Sequence, residues 1–118
     1  MKELKFRAWG KYINEYLSQD GVEPYHYTFK DIADGCIYDA DKFVIEQYTG
    51  LHDKNGKEIY DGDIADDGYH ICKIRWSEHF TAFEAVNEND NYVSNIWFVA
   101  KYGEVIGNIH ENPELLEG

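Results

Sequence analysis

The chain has 118 residues, of which 43% are hydrophobic and 16% aromatic, so it suits one buried core and is too rich in core formers for disorder. Its formal net charge of −12 opposes ordinary nucleic-acid binding, which needs clustered Lys and Arg against phosphate. Two cysteines make no disulfide framework, and no apolar run approaches the ~20 residues of a membrane span.

The acidity is uneven. Residues 1–30 carry five Lys/Arg and four acids, and the rest of the chain carries −13. The start, Met1-Lys2-Glu3-Leu4-Lys5-Phe6, lacks the apolar stretch of a signal peptide. The expectation is a cytoplasmic protein, with Cys36 and Cys72 reduced.

Leu4, Phe6 and Ala8 alternate with Lys5, Arg7 and Trp9, a strand pattern that Gly10 ends. Residues 11–24 read as an irregular excursion, 25–29 as a second strand, and 31–35 as turn-rich. Residues 43–48 give a third strand. In 48–64, Asn55-Gly56 and Asp61-Gly62 are both turn dipeptides, and they predict two tight reversals between short strands. Residues 69–76 predict a strand with His70, Cys72, Ile74 and Trp76 on one face and Tyr69, Ile71, Lys73 and Arg75 on the other. Residues 80–86, 92–99 and 103–109 read as further strands, with a polar loop at 87–91. Asn112-Pro113-Glu114 has the chemistry of a helix start. Ten tyrosines and only two prolines favour sheet.

The expected fold is mainly β: a small, partly open β-barrel or sandwich of short antiparallel strands, with at most short helical turns. One domain over residues 1–118 is expected. Any seam is placed at Gly62, between an N-terminal β part (1–62) and a C-terminal small barrel (63–118).

Three segments carry a family resemblance. They are Phe6-Arg7-Ala8-Trp9, then Gln47-Tyr48-Thr49-Gly50-Leu51 continuing through Asp53-Lys54-Asn55-Gly56 to Asp61-Gly62-Asp63-Ile64, and last Val105-Ile106-Gly107-Asn108-Ile109-His110-Glu111-Asn112-Pro113-Glu114-Leu115-Leu116. In this order and spacing the chain resembles the YopX family of bacteriophages and prophages. The resemblance implies a mainly β fold. It implies no activity and no catalytic residues.

Site chemistry is sparse. With Gly56 at the sixth position of a calcium loop, the first and twelfth fall on Leu51 and Gly62, where oxygen ligands are required, so the EF-hand pattern fails. Asp61, Asp63, Asp66 and Asp67 form a carboxylate group read as a solvated acidic turn, with a weak cation site as the sharper alternative. His70, Cys72 and His79 supply three N/S ligand types, but no paired-cysteine spacing accompanies them. No nucleophile elbow or phosphate loop is present. The catalytic, metal and cofactor assignments are therefore none.

Lys73, Arg75 and Trp76 stand out as a candidate interaction surface, and Asn55, Gly56, Asp61 and Gly62 as structural turns. The favoured expectation is a non-enzymatic accessory protein that works by protein contact, self-association included, with an unknown phage or host protein as partner and no membrane. The alternative is a nucleic-acid-related module, a single-strand binder or an acidic mimic of DNA. An enzyme assisted by metal at residues 61–67 comes third.

Overall fold

The computed structural model describes residues 5–18, 27–28 and 42–117, and the chain packs as two compact units, Met1–Tyr48 and Thr49–Gly118. Among the described residues the architecture is mostly antiparallel β with one short α-helix. No helix among the described residues is long and apolar enough to cross a membrane. The turn-rich segment 31–35, Cys36 and most of the strand expected at 25–29 lie outside the described residues.

In the N-terminal unit the alternating run forms β1 (Lys5–Gly10). A short β2 (Glu15–Tyr16) folds back on its C-terminal half, and β3 (Tyr27–Thr28) pairs with its N-terminal half. On the other side β1 pairs antiparallel with β4 (Phe43–His52). Strand β2 falls where an irregular excursion was expected. The hairpin into it is closed by the Asn14 N–H donating to the Gly10 carbonyl at 2.9 Å, with Asn14 at φ 55. Asn tolerates this left-handed conformation better than most residues.

The opening motif is explained by its neighbours across the sheet. Arg7 lies opposite Glu46, and Arg7 Nε reaches Glu46 Oε1 at 2.9 Å in a nearly dry site. Tyr16 Oη donates to the same oxygen at 2.8 Å. Trp9 faces Tyr16 edge-on, with ring centroids 5.1 Å apart. Such aromatic pairs add about 0.5–1.5 kcal/mol beyond their buried area.

In the C-terminal unit the last residues of β4 form a hairpin with β5 (Glu58–Tyr60), and β6 (Asp63–Asp66), β7 (Ile71–Ser77), β8 (Ala82–Asn87) and β9 (Tyr92–Asn95) come after it. Helix α1 (Ile96–Tyr102) and β10 (Glu104–Asn108) complete the unit, with a 3-10 turn at Pro113–Leu116. Five strands form one antiparallel sheet in the order β10-β6-β7-β8-β9.

Ile59, Ala65, Cys72, Ile74, Phe83, Ala85, Ile96 and Val99 make the core of this unit. Cys72 and Ile74 point inward from β7 while Ile71, Lys73 and Arg75 alternate outward, as predicted. Trp76 belongs to the inward face by alternation but lies at the end of the strand and is 46% exposed, its ring edge-on to Phe83 directly opposite.

Three expectations are corrected. The seam falls after Tyr48 rather than at Gly62. Strand β5 belongs to the C-terminal unit, because Ile59 is fully buried in the core there and the Gly62 N–H donates to the Ile74 carbonyl at 2.9 Å. The strand expected over 92–99 stops at Asn95, whose side chain caps α1 by accepting the Phe98 N–H at 3.0 Å. Ile96, Val99 and Ala100 then meet the core at helical spacing. Finally, Asn112 precedes Pro113 as a cap would, but makes no side-chain cap bond. Its oxygen accepts the Asn108 N–H at 3.2 Å instead.

Candidate interaction surface

The turn dipeptides sit where the sequence placed them. Gly56 and Gly62 have φ 85 and 89, the left-handed region that glycine enters without penalty. Asp53 closes the first turn: its Oδ1 accepts the N–H groups of Asn55 and Lys57, each at 2.9 Å. Its Oδ2 accepts the Val105 N–H at 2.8 Å. The Lys54 N–H donates to the Gly103 carbonyl, and Asn55 Nδ2 reaches Glu104 Oε2. This turn therefore covers the outer edge of β10, where unpaired strand groups would otherwise invite aggregation. The second turn is held by Asp63 Oδ2, which accepts the Tyr60 N–H at 2.7 Å.

The carboxylates at 61–67 differ from a solvated acidic turn, because Asp63 and Asp67 are only 2% and 1% exposed. Asp67 Oδ1 accepts the N–H groups of Tyr69 and His70, and Oδ2 accepts the Tyr92 hydroxyl, all at 2.8 Å. Burial pushes the Asp67 carboxyl up, but these three donors and the nearby His70 outweigh it and hold the group below its usual value. Burial, together with the charges of Asp67 and Asp66, pushes the Cys72 thiol up to about 12. Burial and the bond to Asp67 also push the Tyr92 hydroxyl up. A neutral thiol of this kind is a core residue rather than a nucleophile.

The histidines do not converge with Cys72. The His70 ring stacks on Tyr92 at 3.9 Å, with Nε2 3.3 Å from Asp90 Oδ2. His79 lies in the β7–β8 turn beside Phe80, at the opposite end of β7. Among the described residues no group of three or more His, Cys, Asp and Glu is arranged to hold a metal ion.

Lys73 and Arg75 do share the outer face of β7, and both are drawn into ion pairs. Arg75 Nε lies 2.8 Å from Glu84 Oε2, directly opposite on β8, and Arg75 Nη1 lies 3.6 Å from Glu88 Oε1. Lys73 Nζ lies 3.8 Å from the same Glu88 oxygen. Lys73 also lines a small cavity of about 90 Å3 with Ile71, Val86 and Leu116, far below the ~300 Å3 at which ligand pockets begin. Trp76 emerges on the other face of the strand, so the three residues form no single platform.

A different surface has the features of a contact site. Asp66 Oδ1 accepts the Gly68 N–H at 2.8 Å, Gly68 has φ 94, and Asp67 fixes the next two N–H groups, so the turn 66–70 is held rigidly and presents Tyr69 outward, 76% exposed. The Tyr69 ring lies 6.0 Å from Phe98 on α1, and Phe98 lies 5.1 Å from Tyr102 one helical turn on. Asp67, Gly68 and these three rings line an open depression of about 510 Å3. Trp97, beside Phe98 in the chain, is 67% exposed. The signal was present in the sequence. Once Ile96, Val99 and Ala100 face the core at helical spacing, Trp97, Phe98 and Tyr102 must lie outside that stripe. Reading 92–99 as a strand concealed it.

These features define a small antiparallel β protein whose densest polar constellations are structural and which carries three exposed aromatics, Tyr69, Trp97 and Tyr102, on or beside one short helix. The YopX protein family profile matches residues 5–117, nearly the whole chain. The chain belongs to the YopX family. It is also similar to the crystal structure of protein EF1440 from Enterococcus faecalis, at 28% sequence identity and a TM-score of 0.57, over 99% of this chain and 100% of that one. No curated protein matches the chain significantly.

Proposed function

We propose that the protein is a non-enzymatic phage accessory protein of the host cytoplasm that acts through contact with other protein, self-association included. The observation that carries this reading is the Tyr69–Phe98–Tyr102 surface. It is held by a rigid turn and a capped helix, yet two of its three rings are mostly in solvent. Aromatic side chains dominate binding energy at protein interfaces, and clustered exposed rings are unfavourable unless something covers them. The nucleic-acid alternative loses ground because Lys73 and Arg75 are already paired with Glu84 and Glu88.

A photoreactive amino acid placed at Tyr69, and at the exposed turn residue Lys57 as control, tests the reading in the cells that naturally express the chain. The expected result is a discrete protein adduct from position 69 and none from position 57. Absence of any adduct from position 69 contradicts it. Sedimentation over a range of concentrations shows whether the partner is a second copy.

A further inference from the structure

The aromatic shelf formed by Tyr69, Phe98 and Tyr102 has a chemical bias that its surroundings impose. The unit that carries it, residues 49–118, holds fourteen Asp and Glu against five Lys and Arg. Two of those five cations, Lys73 and Arg75, are engaged with Glu84 and Glu88. A third, Lys101, already lies 5.3 Å from the centroid of the Tyr102 ring. Asp67 also lines the depression, and its buried carboxylate takes its hydrogen bonds from two backbone N–H groups, the Tyr92 hydroxyl and the Cys72 thiol, with no ammonium or guanidinium group of the described residues among these donors. Three rings bordering one depression with a buried anion in its lining, on a strongly acidic unit, match an organic cation. The ring quadrupole attracts it at short range, and the net field draws it in from a distance.

We propose that the Tyr69–Phe98–Tyr102 shelf receives a Lys or Arg side chain from a basic segment of a partner protein. This rests on the reading of the protein as a contact module and supplies the chemistry of the segment it contacts. The turn 66–70 is the positioning device. Gly68 permits the reversal, and Asp66 and Asp67 fix the backbone that aims Tyr69. The backbone that carries Tyr69 is therefore preorganised, and little backbone entropy is lost when a cation arrives.

Fluorescence anisotropy with a labelled octa-arginine peptide at about 150 mM salt, where surface charges beyond ~8 Å are screened, provides the test. Nonspecific attraction to an acidic protein depends on charge alone, so the deciding comparison keeps charge constant. Wild type and the Phe80→Ala variant, which loses an exposed ring elsewhere, should bind equally. The Tyr69→Ala/Tyr102→Ala double variant should bind about tenfold more weakly. If the double variant fails to fold, the two single variants decide, each expected to be weaker than wild type. Equal affinity across all variants, or no binding by wild type, overturns the proposal. So does concentration-dependent sedimentation of wild type that the double variant loses, which would make a second copy the occupant. A cross-linked partner from position 69 together with a failed peptide test would leave the contact function standing and remove only the cationic chemistry.

Discussion

The Asp53 carboxylate accepts the backbone N–H of Val105 at 2.8 Å across fifty-two positions of sequence. One oxygen closes the signature turn and the other seals the edge of β10, so a single side chain joins the two segments most characteristic of the chain. Replacing Asp53 by Ala strands three backbone donors at a site that is 6% exposed. The expected loss is about 2–4 kcal/mol, read from urea unfolding, with faster hydrogen exchange at the Val105 amide. Asp53→Asn, which keeps one acceptor, should lose less.

Acid should unfold the protein through this residue and Asp67. Burial pushes both carboxyls up, but backbone N–H donors outweigh it and hold both below the usual value of 3.8. At Asp53 the donors are Val105, Lys57 and Asn55, with the Lys57 charge adding to them. Groups lowered in the folded state contribute stability that is present above their unfolded pKa and is lost as pH falls through the folded values. The urea midpoint is therefore expected to be level from neutral pH to about 5 and to decline below about pH 4. The Asp67→Asn variant should start lower and decline less.

Two glycines should respond differently to alanine. At Gly56 an added Cβ meets nothing within 4 Å, so only its φ of 85 opposes the change and the cost is about 1 kcal/mol. At Gly103, after α1, the Cβ would lie 2.9 Å from the backbone oxygens of Asp66 and Val99. Those oxygens belong to β6 and α1 and cannot rotate away. Gly103→Ala should be the more damaging variant in thermal melts.

Cys72 should be chemically silent. Its thiol is fully buried and pushed up to about 12. In a Cys36→Ser background, iodoacetamide at pH 8 should label the native protein only at the rate of global unfolding. Urea should bring labelling to completion.

How far the sequence could be read depended on how local each signal was. Gly56 and Gly62 were legible because turn chemistry acts within four residues, and β1 and β7 because alternation does. Helix α1 was not, because its apolar stripe at Ile96, Val99 and Ala100 lies in a run so rich in large side chains that strand and helix periods both fit it. The roles of Asp53, Asp63 and Asp67 were hidden for another reason. A carboxylate looks solvated in sequence, and only the fold brings Val105, Tyr60 and Tyr92 to its oxygens. Lys73 and Arg75 were placed correctly on one face, but their pairing with Glu84 and Glu88 depends on the β7–β8 register.

The proposed function divides the labour: polar signature residues maintain the fold, and the aromatic shelf would make the contacts. The most direct test of this division is the yield of protein adduct from a photoreactive residue at Trp97, measured in the otherwise wild-type chain and in the Tyr69→Ala/Tyr102→Ala background. Because both tyrosines are more than half exposed, the double variant should melt within about 3 °C of wild type. The predicted result is a folded protein whose adduct is lost. An undiminished adduct from the folded double variant would contradict the division.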